Sequence, residues 1–259
     1  MKIDILTLFP EMFEPVVGGS ILGRACENDI LDVHLTNIRD YSTDKHKKAD
    51  DYPFGGGAGM LMLAQPIFDA LEAVGVQGGI REDGDNGRCR ANKKVVYMSP
   101  RGKVLDMTKI RELSELDELV ILCGHYEGVD QRAIDYFDME EISIGDYVLT
   151  GGELPAMVLV DAVARLIPGV LSGESSALGE SIYSGLLEYP QYTKPRNYRD
   201  LEVPEVLTNG NHKLIELWNF EQSLILTRER RPDLFEKYMK EHAEGLDKAH
   251  KKVLEKVQR

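Results

Sequence analysis

The spacing of apolar and polar positions changes several times along the 259-residue chain, and each change predicts an element. Lys2 to Phe9 is a short run rich in Ile and Leu, as a buried strand requires. Pro10 closes it where a helix carrying Met12, Phe13, Val16 and Val17 can begin. Comparable runs at Leu31 to Ile38, Lys94 to Met98 and Glu118 to Cys123 end in Pro, Gly or charged residues and predict three more strands. Helical patterns lie between them, so the alternation predicts an α/β domain with a mostly parallel sheet.

Residues 39–59 are polar and then glycine-rich, and residues 75–93 carry Gly-Gly, Asp-Gly and Asn-Gly pairs; both are expected to be loops, the second a surface insertion. From Ser172 to about Pro204 no apolar period persists. After Asn209-Gly210 the pattern is helical, with Leu214, Leu217, Trp218, Leu224 and Ile225 on one face. A second helix is expected to start at Pro232 and a last one to run through Leu246, Val253, Leu254 and Val257. The domains expected are therefore an α/β domain over 1–171, a flexible linker over 172–204 and a small all-helical domain over 205–259.

A hydrophobic content of 42% with 11 Pro excludes a disordered chain, and the unpatterned Cys26, Cys89 and Cys123 argue against a disulfide framework or a zinc site. Asp4 interrupts the first apolar run, which argues against a secretion signal. The longest apolar stretch, Leu154 to Leu171, is broken by Asp161, Arg165 and Pro168-Gly169 and cannot be an ordinary membrane span. A cytoplasmic protein without membrane association is expected.

The formal charge of −13 argues, taken alone, against a nucleic-acid partner, because phosphate binding is driven by cations. Its distribution changes that reading. Residues 1–187 hold 17 basic and 31 acidic residues, whereas residues 188–259 hold 14 basic and 13 acidic.

Three stretches could carry chemistry. In "DDYPFGGGAGMLM", from Asp50 to Met62, four glycines in five positions permit close backbone approaches, and no Gly-Lys-Ser/Thr follows that would make a phosphate-binding Walker motif. "CGHYEGVDQR" follows the strand expected to end at Cys123, the place where open α/β sheets hold ligands. There Glu127 could meet a cationic or polyhydroxy ligand, while His125 is a loop histidine with no partner in view. In "ISIGDYVLTGGELPAM", from Ile142 to Met157, glycines flank a short apolar run. They would let main-chain groups turn toward an adenine or ribose; a strand between ordinary turns fits the spacing equally well.

In this order and spacing, these stretches closely resemble the bacterial tRNA (guanine-N1)-methyltransferases, knotted enzymes of the SPOUT class. The resemblance extends from "LTLFPEMF" through "RLIPGVL" and "SGLLEYPQYTKP" to "RRPDLFEKY". It implies a SPOUT-type parallel sheet with a deep trefoil knot, an exception to the rule against knotted connections, and S-adenosylmethionine-dependent methylation of N1 of guanosine 37, next to the anticodon. It also implies that the cofactor is bound by Ser99, Pro100, Gly124, Glu127, Ser143, Ile144, Gly145, Tyr147, Val148, Leu149, Gly151 and Gly152. The family is dimeric with composite active sites, so a homodimer is expected. Activity in the family depends on Mg²⁺, but the sequence has no dedicated ligand cluster and no metal residue is assigned.

The chemistry sets its own demands. Guanine N1 carries a proton and is weakly nucleophilic, so methylation needs a base near N1 and a positive group near O6. The arginine matching the family pattern is Arg165; an i, i+4 ion pair with Asp161 is the structural alternative. The base is expected at Glu180, with Glu174 a lesser candidate; the family usually has Asp before a Ser-aromatic pair, where this chain has Glu180 before Ser181-Ile182. For RNA the candidates are Lys45, Lys48, Lys194, Arg196, Arg199 and Arg230, alongside Arg228 and Arg231, with Tyr192 and Tyr198 able to stack on unpaired bases. A knotted ribose 2′-O-methyltransferase and a non-catalytic RNA-binding module are the alternative functions.

Overall fold

The computed structural model describes residues 1–79, 92–171, 182 and 184–258. The chain forms two compact units, 1–172 and 173–259. Cys89, Glu174 and Glu180 lie outside the described residues.

In the first unit the strands are β1 (Lys2–Thr7), β2 (Asp32–Asn37), β3 (Asp50–Asp51), β4 (Leu61–Met62), β5 (Lys93–Val104), β6 (Glu118–Cys123) and β7 (Glu140–Ser143). Its helices are α1 (Glu14–Val17), α2 (Ser20–Glu27), α3 (Ala64–Ala73), α4 (Met107–Ser114), α5 (Gln131–Tyr136) and α6 (Glu153–Ala164). Five strands make one sheet in the order β2-β1-β6-β5-β7, and every pairing in it is parallel. β3 and β4 form a separate antiparallel pair.

The sheet is covered on both faces, which is why its central strands are continuous apolar runs. Ile3, Ile5, Leu119, Ile121 and Cys123 face a core shared with α2, α4 and α6, while Leu6, Val120 and Leu122 face one shared with α3 and α5. Successive side chains of β6 thus enter opposite cores, as the two-residue period of a strand dictates. Asp4 and Thr7 are the buried polar residues within β1, and the Asp4 carboxylate lies 2.8 Å from the Lys2 ammonium.

The four strands expected from the sequence are present, Glu118 to Cys123 with the expected ends and the other three with shifted ones, and β7 joins them in the sheet. Two of its four residues are acids, Glu140 and Glu141, which hid it from a search for apolar runs. They are satisfied from outside the strand: Glu140 pairs with Lys94 at 2.5 Å and Lys109 at 2.7 Å, and Glu141 pairs with Arg101 at 3.0 Å. β5 runs on to Val104 through a register shift between Met98 and Lys103. Pro100 sits inside that irregularity, where its missing N–H breaks no ladder bond.

The second unit contains α7 (His212–Arg230), α8 (Pro232–His242) and α9 (Lys248–Gln258). Asn211 caps α7 by accepting from the Leu214 N–H, and α8 begins at Pro232 as expected. Leu224, Tyr238, Leu254 and Val257 form the core together with Leu186. The Leu187 N–H donates to Thr227 Oγ1 at 2.8 Å. Part of the segment expected to link the domains therefore packs on the helices. Leu214, expected on the buried face, is exposed. Among the described residues no helix is long and apolar enough to cross a membrane.

Candidate active site

Beyond the carboxyl ends of β6 and β7, and beside the irregular stretch of β5, lies a cleft of 460 Å³, within the range of small-molecule sites. Its walls are residues 97–101, 124–129, 142–145 and 147–152, completed by Leu61, Gln131 and Pro155. Each of the residues expected to bind a cofactor, from Ser99 to Gly152, lies in these walls.

Close backbone approach makes the cleft. The Gly152 N–H donates to the Gly124 carbonyl at 2.7 Å, and His125 and Gly151 form an antiparallel bridge. A Cβ on Gly152 would stand 2.7 Å from the Gly124 nitrogen and 2.8 Å from Cys123 Cα, so no side chain fits there. The buried Ser143 hydroxyl donates to the Gly145 carbonyl at 3.0 Å and accepts from the Gly145 N–H at 3.1 Å, closing the turn after β7. Past that turn Tyr147, Val148 and Leu149 are exposed, an apolar edge on an open cleft.

The glycine-rich stretch 55–59 joins the same wall. The Glu127 N–H donates to the Met60 carbonyl at 2.9 Å, and Gly59, at φ +86°, lies against the Glu127 side chain.

Several polar groups here escaped the sequence reading. Arg101 grips Glu141 with two hydrogen bonds, at 3.0 and 3.1 Å, and donates to Gln131 at 3.3 Å. Tyr97 packs its ring against Gly124, and burial pushes its hydroxyl above the usual phenol range. Glu153, first residue of α6, is 2% exposed. Its Oε1 accepts from Thr7 Oγ1 at 2.8 Å, and its Oε2 stands 4.0 Å from His125 Nδ1. Burial, together with the charge of Glu153, raises the Cys123 thiol well above its ordinary value.

Arg165 does not line the cleft. It ends α6, and at 1.5 Å per residue it is about 20 Å along the helix axis from Gly152. Lys45 and Lys48 are exposed in the first unit, Lys48 pairing with Asp51 at 3.0 Å. Lys194, Arg196, Arg199 and Arg230 are exposed in the second, with the Arg199 guanidinium 5.4 Å from the centre of the Tyr198 ring. Arg228 donates to the Val257 carbonyl and Arg231 pairs with Asp233, so both have structural partners. Among the described residues there is no group of three or more His, Cys, Asp or Glu placed to hold a metal ion.

The family model described as tRNA (Guanine-1)-methyltransferase TrmD matches residues 1–237. The chain belongs to that family. Curated relatives named tRNA (guanine-N(1)-)-methyltransferase agree with this assignment. The protein of Ruminiclostridium cellulolyticum is 58% identical over 237 residues, 92% of this chain and 97% of its own length. That of Alkaliphilus oremlandii is 56% identical over 239 residues, 92% and 94% of the two chains. That of Clostridioides difficile is 50% identical over 237 residues, 92% and 98%. The family member described here thus carries its cleft in the unit that the family model covers entirely.

Proposed function

We propose that the protein binds S-adenosylmethionine in the cleft beside β5, β6 and β7 and methylates N1 of guanosine 37 in tRNA. The observation that carries this reading is the convergence of residues 97–101, 124–129, 142–145 and 147–152 on one cleft in a chain of this family. The activity is that of the family, methyl transfer to N1 of a tRNA guanine, and S-adenosylmethionine supplies an electrophilic methyl group on its sulfonium.

The donor set suits that cofactor. Gly151 and Gly152 line the cleft, and their lack of side chains lets this backbone lie close against His125 and Gly124, which brings main-chain groups to the wall that would meet an adenine edge. Tyr147, Val148 and Leu149 offer apolar contact, and Glu127 offers a carboxylate to a cationic group. On the substrate side, Glu180 would accept the N1 proton and Arg165 would hold the charge developing at O6. The distance of Arg165 from its own cleft fits a composite site, in which the cleft of one subunit is completed by the partner of a homodimer. Leu154 and Val158, one turn apart and half exposed on α6, give an apolar stripe for such an interface. A trefoil knot is part of this reading: the segment after the edge strand β7 returns to bridge His125 beside β6. RNA contacts fall to exposed cations at Lys45, Lys48, Lys194, Arg196, Arg199 and Arg230. The cytoplasm, where tRNA is modified, is the proposed location. No step is assigned to Mg²⁺, which would enter with the RNA and cofactor.

The test is to incubate the protein with labelled S-adenosylmethionine and a tRNA transcript and to map the methylated nucleoside. N1-methylguanosine at position 37 is expected, and a 2′-O-methyl product or RNA binding without transfer would refute the reading. Glu180→Gln is expected to abolish turnover with cofactor affinity retained, and near-normal turnover would remove Glu180 from the mechanism.

A further inference from the structure

The mechanism above uses neither His125 nor Glu153, yet their arrangement is unlike that of a solvated loop histidine. His125 Nδ1 is shut off from solvent and has no hydrogen-bond partner, although the residue lines the cleft. The ring is held from two sides, by Phe9 with centroids 5.1 Å apart and by Tyr126 edge-on at 4.9 Å. Tyr126 is itself fixed, its hydroxyl accepting from Arg39 Nη2 at 3.2 Å. Facing Nδ1 is Glu153 Oε2 at 4.0 Å, a carboxylate whose side chain is 3% exposed.

The carboxylate is pinned in turn. The Phe9 N–H donates to Thr7 Oγ1 at 3.0 Å, which fixes the hydroxyl so that its own proton goes to Glu153 Oε1 at 2.8 Å. Thr7 and Phe9 leave β1, Glu153 starts α6 and His125 follows β6, so three parts of the fold meet at one imidazole. Gly151 makes room for this: a Cβ there would lie 2.7 Å from His125 Nδ1. An acceptor-only group opposite Nδ1 selects the tautomer with the proton on that nitrogen. A contact of 4.0 Å is too long for a hydrogen bond as it stands, but such bonds in ligand-free sites close when the substrate packs against the ring.

We infer that Glu153 is a positioning residue that fixes the Nδ1–H tautomer of His125, so that the other ring nitrogen accepts a hydrogen bond from an N–H of the ligand in the cleft. That donor is either the amino group of the cofactor's methionine part or the base edge of the target guanine. The inference rests on the cleft being the methyl-transfer site. It adds to that reading a fixed acceptor in the lining of the cleft.

Nitrogen-15 NMR of the histidine rings gives the direct signature. Wild-type His125 is expected in the Nδ1–H tautomer, and Glu153→Gln, which keeps the shape of the side chain, is expected to lose that preference. Calorimetry with S-adenosylmethionine in the absence of RNA, and KM for tRNA at saturating cofactor, separate the two sources of the N–H. His125→Phe and Glu153→Gln are expected to weaken one of these constants by about tenfold or more, the worth of a hydrogen bond to a charged or strongly polar partner, with a smaller change in kcat. Thermal unfolding of both variants checks that they fold; should Glu153→Gln not fold, His125→Phe alone decides. A wild-type ring protonated on the other nitrogen, or both constants within about twofold of wild type in the folded variants, would overturn the inference. Failure of the wild-type protein itself to bind the cofactor or to methylate tRNA would instead sink the functional reading beneath it.

Discussion

Gly152→Ala isolates the close approach on which the cleft depends. The new Cβ would meet the Gly124 nitrogen at 2.7 Å and Cys123 Cα at 2.8 Å. Both are backbone atoms of the opposite wall, so no side chain can swing aside. Ordinary contact between such atoms requires the two walls to part by about 0.7 Å. That movement stretches the Gly152 to Gly124 hydrogen bond beyond a useful length, at a cost of about 1 kcal/mol. Overpacking adds about 1–3 kcal/mol. At roughly 2–4 °C per kcal/mol for a unit of this size, the melting temperature of the first unit should fall by about 4–16 °C. Affinity for S-adenosylmethionine should fall by about tenfold or more, since displacements of this order are costly in a built site. Differential scanning calorimetry and titration calorimetry measure the two effects. Gly245→Ala is the control, because a Cβ there meets nothing. A Gly152→Ala protein with the melting temperature and affinity of the wild type would show that the approach of the two walls does not shape the site.

Two further outcomes follow from the packing and the charges. Leu224→Ala removes a fully buried side chain from the small core of the helical unit and should cost about 2–5 kcal/mol, read as earlier loss of that unit in urea, with no change in cofactor affinity; an unchanged midpoint would contradict it. Hydrogen bonds from Lys109 and Lys94 hold the Glu112 carboxyl at about 2, against an ordinary 4.5. A depressed carboxylate stabilises the fold above its unfolded value, and the contribution is lost as pH falls from the ordinary value toward the folded one. Stability lost in Glu112→Gln should therefore be visible at neutral pH and vanish on acidification through that window. Because the side chain is 47% exposed, the difference should be about 1 kcal/mol or less. A gap between the two proteins that is the same at both ends of the window would refute this assignment.

What the sequence made legible has a physical basis in how each part is built. Strands buried on both faces need continuous apolar runs, so β1 and β6 stand out, and Pro232 fits the first turn of α8 because its missing N–H costs nothing there. β7 was hidden because an edge strand with Glu140 and Glu141 draws its stability from Lys94, Lys109 and Arg101, which come from elsewhere in the chain. Two walls of the cleft were legible as glycine-bearing motifs, and the resemblance named residues in each of them together with Ser99 and Pro100, but not their neighbours Tyr97, Arg101 and Gln131. The polar machinery behind them was not: Thr7 and Glu153 are 146 positions apart, and Arg101 and Glu141 are 40 apart. Nothing in local spacing couples such residues. His125 looked isolated for that reason, since its facing carboxylate belongs to a helix that starts beyond another strand and a glycine turn.

The sheet order also bears on how the protein is made on the ribosome. β1 emerges first, yet one of its two neighbours is β6, so Lys2 waits for Glu118 before that edge can be covered. The cleft comes later still, since its last wall includes Gly152. A nascent chain stalled just before that glycine would hold all five sheet strands and still have no completed cleft. Such distant pairings slow folding and leave an apolar strand uncovered during synthesis. Capture of S-adenosylmethionine by ribosome-bound chains of increasing length would date the moment at which the fold closes.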